Sequence, residues 1–179
     1  SPNLIVITGD MVDAPPHMLL HEMQSLSLLN AENGVFFVTG NHEYYAGAEE
    51  WIPAIESLGI RVLRNEHSII RKGDSSFALL GVDDFNASRI LPDHGSDLNK
   101  ACKGIPPNTE TILLAHQPRQ IFEAAQKNLG LQLSGHTHGG QIWPITHFVP
   151  LQQPYNKGLF SHPGSRTQVY VSQGTGYWG

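Results

Sequence analysis

Four apolar strands in this chain each run directly into a short polar stretch, and no other feature of the sequence restricts the fold as much. Residues 3–8 (NLIVIT) lead into Gly9-Asp10, and residues 34–39 (GVFFVT) lead into Gly40-Asn41-His42. Residues 111–115 (TILLA) end at His116, and residues 131–134 (LQLS) end in Gly135-His136-Thr137-His138-Gly139-Gly140. Short, uninterrupted aliphatic and β-branched runs read as buried strands. In open α/β sheets, sites form beyond the carboxyl ends of the strands. The four polar stretches are therefore expected to converge on one place.

The segments between them carry the rest of the pattern. Residues 16–30 place Met18, Leu19, Met23, Leu26 and Leu29 on a helical stripe, and residues 48–58 read as a helix stopped by Gly59. Residues 61–63, 68–71 and 77–82 read as strands, with a turn at Lys72-Gly73-Asp74. Short helices are expected over 96–102 and 119–128, and a late strand over 168–172. Strands and helices alternate at both ends of the chain and strands cluster in the middle, which predicts an α/β sandwich. There is no internal repeat or linker, and 179 residues suit a single domain. The chain opens without methionine and enters a strand almost at once, so we expect a piece of a longer protein.

Composition removes several functions. Eleven basic residues against sixteen acidic ones leave a net charge of −5, which disfavours nucleic acid as a partner. The single Cys102 forms no internal disulfide. No run reaches the roughly 18–20 apolar residues of a membrane helix, and no signal peptide opens the chain. These residues read as a water-soluble globular piece, which says nothing of the parent.

Two histidines one residue apart, His136 and His138, framed by glycines, look like part of a metal site. Asp10, Asn41 and His116 are the partners that the strand pattern offers. A set of carboxylate, amide and imidazole suits Mn, Fe, Ni, Co or Zn, and suits neither an all-oxygen calcium cage nor a thiolate zinc site. In a looping segment, residues two apart can serve two different ions. The competing readings are an Asx turn or helix cap for Asp10, a turn role for Asn41, a surface histidine for His42, and a strand-end role for His116. His17, His21, His67, His94, His147 and His162 read as surface or locally bonded. Asp83 and Asp84 precede an irregular stretch through Pro92, either a loop near the site or a solvated one.

The ordered set of motifs resembles the calcineurin-like metallophosphoesterases. It comprises Gly9-Asp10, Gly40-Asn41-His42-Glu43, an isolated His116 after a TILLA-type strand, and Gly135-His136-Thr137-His138. The runs GHTHGGQIWP, LQQPYNKGL and VYVSQGTGYWG resemble the bacterial membrane-associated branch. The resemblance implies a β-sandwich flanked by helices (α/β/β/α), here without its first strand and its C-terminal end. It implies two divalent ions, roughly 3.5–4 Å apart, that clamp a phosphoryl group and activate water. By the same resemblance Asp10 bridges the two ions and acts in catalysis. Asn41, His116 and His136 hold the second ion, and His138 reaches the first. His42 stands over the substrate phosphate as catalytic proton donor or charge stabiliser. Tyr44 and its neighbour Tyr45, which follow the Gly40–Glu43 motif, either line the substrate pocket or simply pack, and Gly139 is a further candidate at the substrate.

The Asp-x-His that completes the first ion's site in that family is missing, and we expect it upstream of Ser1. Trp143, Phe148, Tyr155, Tyr177 and Trp178 form either an apolar wall for a lipid-like substrate or ordinary packing. The implied activity is hydrolysis of a phosphomonoester, phosphodiester or pyrophosphate. The branch points to a membrane-associated parent and a nucleotide-linked lipid pyrophosphate. The alternatives are a small-nucleotide phosphodiesterase, a mononuclear site, and a non-catalytic scaffold on the same fold.

Overall fold

The computed structural model describes residues 2–140 and 152–176. Two sheets form its centre. Strands β1 (Ile5–Ile7), β2 (Val35–Phe37) and β3 (Arg61–Val62) build a parallel sheet in that order. The second sheet contains β4 (Glu66–Lys72), β5 (Ser75–Gly81), β6 (Glu110–Leu114), β7 (Leu131–Ser134), β8 (Gly158–Ser161) and β9 (Gln168–Val171). Its order is β4-β5-β6-β7-β9-β8. The four inner strands run parallel, while β4 and β8 pair antiparallel at the two edges. The helices are α1 (Pro16–Leu19), α2 (Asn41–Tyr45), α3 (Ala48–Ser57), α4 (Leu98–Cys102) and α5 (Ile121–Gln126).

The period-two alternation of the strands sorts the core into layers. Phe36 and Val38 of the first sheet meet Leu79 and Leu114 of the second, with Leu63 and Ile70 beside them. On the opposite face of the first sheet, Val35 and Phe37 pack against Trp51 and Ile55 of α3. Ala78, Leu80 and Leu113 on the outer face of the second sheet cover Leu98, Ala101 and Ala124 of α4 and α5. The result is helix, sheet, sheet, helix, as the family resemblance implies. Trp51 is fully buried, and its indole N–H donates to the Ala14 carbonyl at 2.9 Å, so the ring keeps a polar partner.

Three elements differ from expectation. The helix over 16–30 is one α-turn, α1, followed by a 3-10 run at Glu22–Leu28, and neither piece buries a single residue. Short helices persist by packing an apolar face, and here Met18 and Leu28 stay 61% and 81% exposed. The polar loop after β2 is α2, a single helical turn. Edge strand β8 had no counterpart in the sequence reading. With three of its four residues exposed, it carries no apolar alternation to announce it.

Candidate metal centre

The site begins where β1 and β2 end side by side. Their parallel register brings Gly9 against Gly40. A Cβ on Gly9 would lie 2.4 Å from the Gly40 nitrogen, and a Cβ on Gly40 would lie 2.2 Å from Asp10 Oδ1. Only glycine lets the two backbones approach this closely. Gly9 (φ +92°) and then Asp10 (φ +57°) take the left-handed conformation, which turns the Asp10 carboxylate across the strand ends. Its Oδ1 accepts the His42 backbone N–H at 3.0 Å. Its Oδ2 lies 2.9 Å from His116 Nε2.

His116 stands at the end of β6 with its side chain 1% exposed. Nδ1 lies 2.6 Å from the Thr8 carbonyl. A carbonyl only accepts, so Nδ1 carries a proton and Nε2 is the atom aimed at the centre. Nε2 also lies 3.1 Å from His136 Nδ1. One ligand atom each from Asp10, His116 and His136 falls within 4.8 Å of the others. His136 and His138 both have positive φ, 69° and 47°. Three candidate ligands therefore sit in a backbone region that non-glycine residues seldom adopt, the kind of strain that collects at functional sites.

The charges are mutually dependent. Burial works to lower the pKa of His116, but the Asp10 hydrogen bond and charge, the Asp84 carboxylate and the Thr8 carbonyl outweigh it and raise it to about 9. Burial works to raise Asp10, yet its contacts with His116 and His42 bring it down to about 2. His136 is lowered to about 3 by burial first and by the neighbouring His116 charge second, and His138 and His42 add to the effect. In the metal-free site one imidazolium is thus paired with one carboxylate, and His136 is neutral and able to bind.

Of the six buried side-chain polar atoms with no hydrogen-bond partner among the described residues, two belong to candidate ligands, Asn41 Oδ1 and His138 Nδ1. Asn41 is 7% exposed. A buried oxygen left without a donor is costly, and a cation would satisfy it. The donor set of carboxylate, amide oxygen and imidazole nitrogens, with these orphaned atoms, fits a divalent metal ion.

His42 is placed apart from the tight cluster, half-buried, with Nδ1 ion-paired to the Asp13 carboxylate. The sequence reading gave Asp13 no role. The signal was present, an acid three residues beyond Asp10 in GDMVD, but its contact with a histidine 29 positions away exists only in the fold. Glu43 was also missed: its fully buried carboxylate bonds both loops.

Tyr44, expected at the substrate, is buried at 4% exposure against Ala48 and Ala87. Its hydroxyl meets Thr39 and His94. Lying inside this cluster, it does not fit a substrate-facing role. The exposed ring beside His42 is Tyr45, edge-on at 5.5 Å. Gly139 is buried, and its carbonyl accepts from Asn156 Nδ2 at 3.1 Å. Asp83 and Asp84 are both fully buried and not in a solvated loop. Asp83 makes a two-pronged ion pair with Arg64, and both Asp84 oxygens accept from Gln117 beside His116. His17 and His21 are exposed, while His67 bonds the Ala101 carbonyl. His162 lies 3.5 Å from the Tyr155 hydroxyl, and the Tyr155 ring stacks on Phe160. His147, Trp143, Phe148, Tyr177 and Trp178 lie outside the described residues.

The family model for calcineurin-like phosphoesterases matches residues 1–140. The chain belongs to the calcineurin-like phosphoesterase family. An uncharacterized metallophosphoesterase of Helicobacter pylori is 41% identical over 178 residues, covering 99% of this chain and 46% of the relative. A "transmembrane protein with metallophosphoesterase domain" from Danio rerio is 38% identical over 186 residues, covering 100% of this chain and 42% of the relative. The chain thus spans less than half the length of these metallophosphoesterases. The fold recurs in the Haemophilus influenzae NAD nucleotidase, with a TM-score of 0.60 at 21% identity over 94% of this chain and 39% of that one. It recurs again in the Mycobacterium tuberculosis phosphopantetheinyl hydrolase, with a TM-score of 0.58 at 12% identity over 96% of this chain and 80% of that one. The match to the family model and the names of these relatives place the chain among the metallophosphoesterases. Among the described residues no helix is long and apolar enough to cross a membrane.

Proposed function

We propose that this chain is the larger part of the single catalytic domain of a dinuclear phosphoester hydrolase, and that Asp10, Asn41, His116, His136 and His138 are its metal ligands. The observation that carries the reading is the convergence of Asp10, His116 and His136 within 4.8 Å, next to a buried Asn41 oxygen with no partner among the described residues. Asp10 faces both His116 and the loop of Asn41, the position a bridging carboxylate needs. The ligands still lacking for a second ion are assigned to an Asp-x-His in a segment outside this sequence. Bound there, two divalent ions would supply the positive charge that holds a phosphoryl group and activates water near neutral pH. The donor set accepts Mn, Fe, Zn, Ni or Co.

The chain's own residues complete the chemistry. His42 is the group left free to give a proton to the leaving oxygen: Asp13 accepts the Nδ1–H and orients the ring, and the doubly protonated imidazolium then presents its Nε2–H to that oxygen. Substrate recognition is assigned to the rim. Tyr45 stands exposed beside His42, and the half-exposed Phe85 carries the Arg119 guanidinium 4.3 Å above its ring. An apolar ring with a cation over it suits a small phosphorylated molecule with an apolar or lipid-linked leaving group. The names of the vertebrate relatives support a membrane-associated parent.

The test is metal content by elemental analysis after purification in manganese, followed by turnover of p-nitrophenyl phosphate and bis-p-nitrophenyl phosphate by the full-length parent. About one ion per chain here, lost in His136→Ala, is the expected result. A chain that takes up no metal, or a His136→Ala variant that keeps it, overturns the ligand assignment.

A further inference from the structure

We infer that Glu43 is a positioning residue that sets the metal affinity of this centre by clamping together the two loops that carry Asp10 and Asn41. The inference rests on the metal-centre reading above and extends it to a residue that touches neither ion nor substrate.

Glu43 is fully buried. One carboxylate oxygen accepts the Asp10 N–H at 2.9 Å and the Gly40 N–H at 2.6 Å, and the other accepts the Met11 N–H at 2.7 Å. Only the Gly40 bond is local, the ordinary reach of a third helical residue back to the start of its helix. The other two cross 32 and 33 residues of sequence to a different strand end. Those donors belong to the segment where Gly9 and Asp10 turn through positive φ, so the segment has no ladder partner to hold it. Two of the three bonded amides belong to Asp10 itself and to the residue before Asn41.

The carboxylate thus replaces a missing strand-to-strand hydrogen-bond ladder at the point where the strands stop. Ionised carboxylates make the stronger bonds to amides, and only both oxygens together reach all three donors. Without the clamp, the Gly9–Asp10 turn and the Gly40–Asn41 turn are joined chiefly by the Asp10 Oδ1 bond to the His42 amide. That bond uses the very carboxylate a metal requires. Groups that orient ligands from behind typically account for about 10–100-fold in metal affinity.

The experiment compares wild type, Glu43→Gln and Glu43→Asp for manganese affinity by calorimetry, for the visible spectrum of the cobalt-loaded chain, and for thermal unfolding of the metal-free chain. Glu43→Gln keeps the volume and one accepting oxygen; Glu43→Asp keeps the charge but is a methylene short. The expected result is manganese binding weakened about 10–100-fold in Glu43→Gln, with an altered cobalt spectrum in the fraction that loads. Glu43→Asp should recover part of the affinity. Wild-type affinity and spectrum in both variants overturn the clamp and leave the metal-centre reading standing. A wild-type chain without manganese affinity overturns both.

A second measurement needs no variant. In the metal-free wild type, the Asp10, Met11 and Gly40 amides should exchange slowly with solvent by NMR. Exchange as fast as in unbonded loops refutes the clamp even if neither variant folds.

Discussion

The metal-free chain should be most stable near pH 6.5 and should lose stability in both directions, through two different histidines. His116 is raised from 6.5 to about 9. A raised histidine stabilises the fold fully below its unfolded pKa, and that contribution disappears as pH climbs from 6.5 through about 9. Each tenfold shift corresponds to about 1.4 kcal/mol, so the His116 figure gives about 3 kcal/mol. Asp10 reports the same contact from the other side, lowered from 3.8 to about 2, which gives nearer 2 kcal/mol. The two describe one interaction and are not added, so the alkaline loss is about 2–3 kcal/mol.

His136 runs the other way. Lowered from 6.5 to about 3, it stays neutral in the fold while the unfolded chain takes up a proton, so stability falls as pH drops below 6.5, by about 1.4 kcal/mol per pH unit. The Asp10 contribution is lost only below 3.8 and steepens that limb. The groups that face these rings are Asp10, Asp84, His138 and His42. Urea unfolding in EDTA at pH 5, 6.5 and 9 measures the effect. With slopes of about 1–3 kcal/mol per molar urea, the midpoint should move by about 1 M on each side. His116→Gln should remove the alkaline limb and His136→Gln the acid limb. Equal midpoints at pH 6.5 and 9, or an alkaline limb that survives His116→Gln, would refute the paired imidazolium.

The same charges govern metal uptake. A metal competes with the proton on His116, so manganese affinity should rise by up to about tenfold per pH unit between 6.5 and 9, with proton release seen as a buffer-dependent calorimetric heat; a pH-independent affinity contradicts the assignment. Gly40→Ala has an ordinary φ of −101° but sets its Cβ 2.2 Å from Asp10 Oδ1. The overpacking should cost about 1–3 kcal/mol of metal-free stability and lower metal affinity as well, and a silent variant in urea titration and calorimetry would show that the loops are not in contact as described. His42→Ala should retain metal content and lower turnover of the parent enzyme by about 10²–10⁴, and Asp13→Asn should lower it by less. Unchanged turnover in His42→Ala removes that residue from the mechanism.

The central strands and the polar residues at their ends are legible in the hydrophobic pattern of the chain. The runs 3–8, 34–39 and 111–115 are apolar on both faces, 131–134 alternates its leucines with the buried Gln132 and Ser134, and each stops at a polar group. The segment over 16–30 packs Leu19, Met23 and Leu26 against the core as its apolar stripe implies, yet it breaks into a short α-turn and a 3-10 run that leave every residue at least partly exposed, so the stripe marks the packed face but not a continuous helix. Which polar groups meet is a property of the folded arrangement. Asp13 reaches His42, Glu43 reaches Asp10 and Met11, and Tyr44 turns inward while Tyr45 stays out. Those outcomes depend on the register of β1 against β2 and on the left-handed turns at Gly9 and Asp10. Hydrophobic periodicity reports which face of an element is buried. It carries no information about contacts made across thirty residues by atoms only a few ångströms apart.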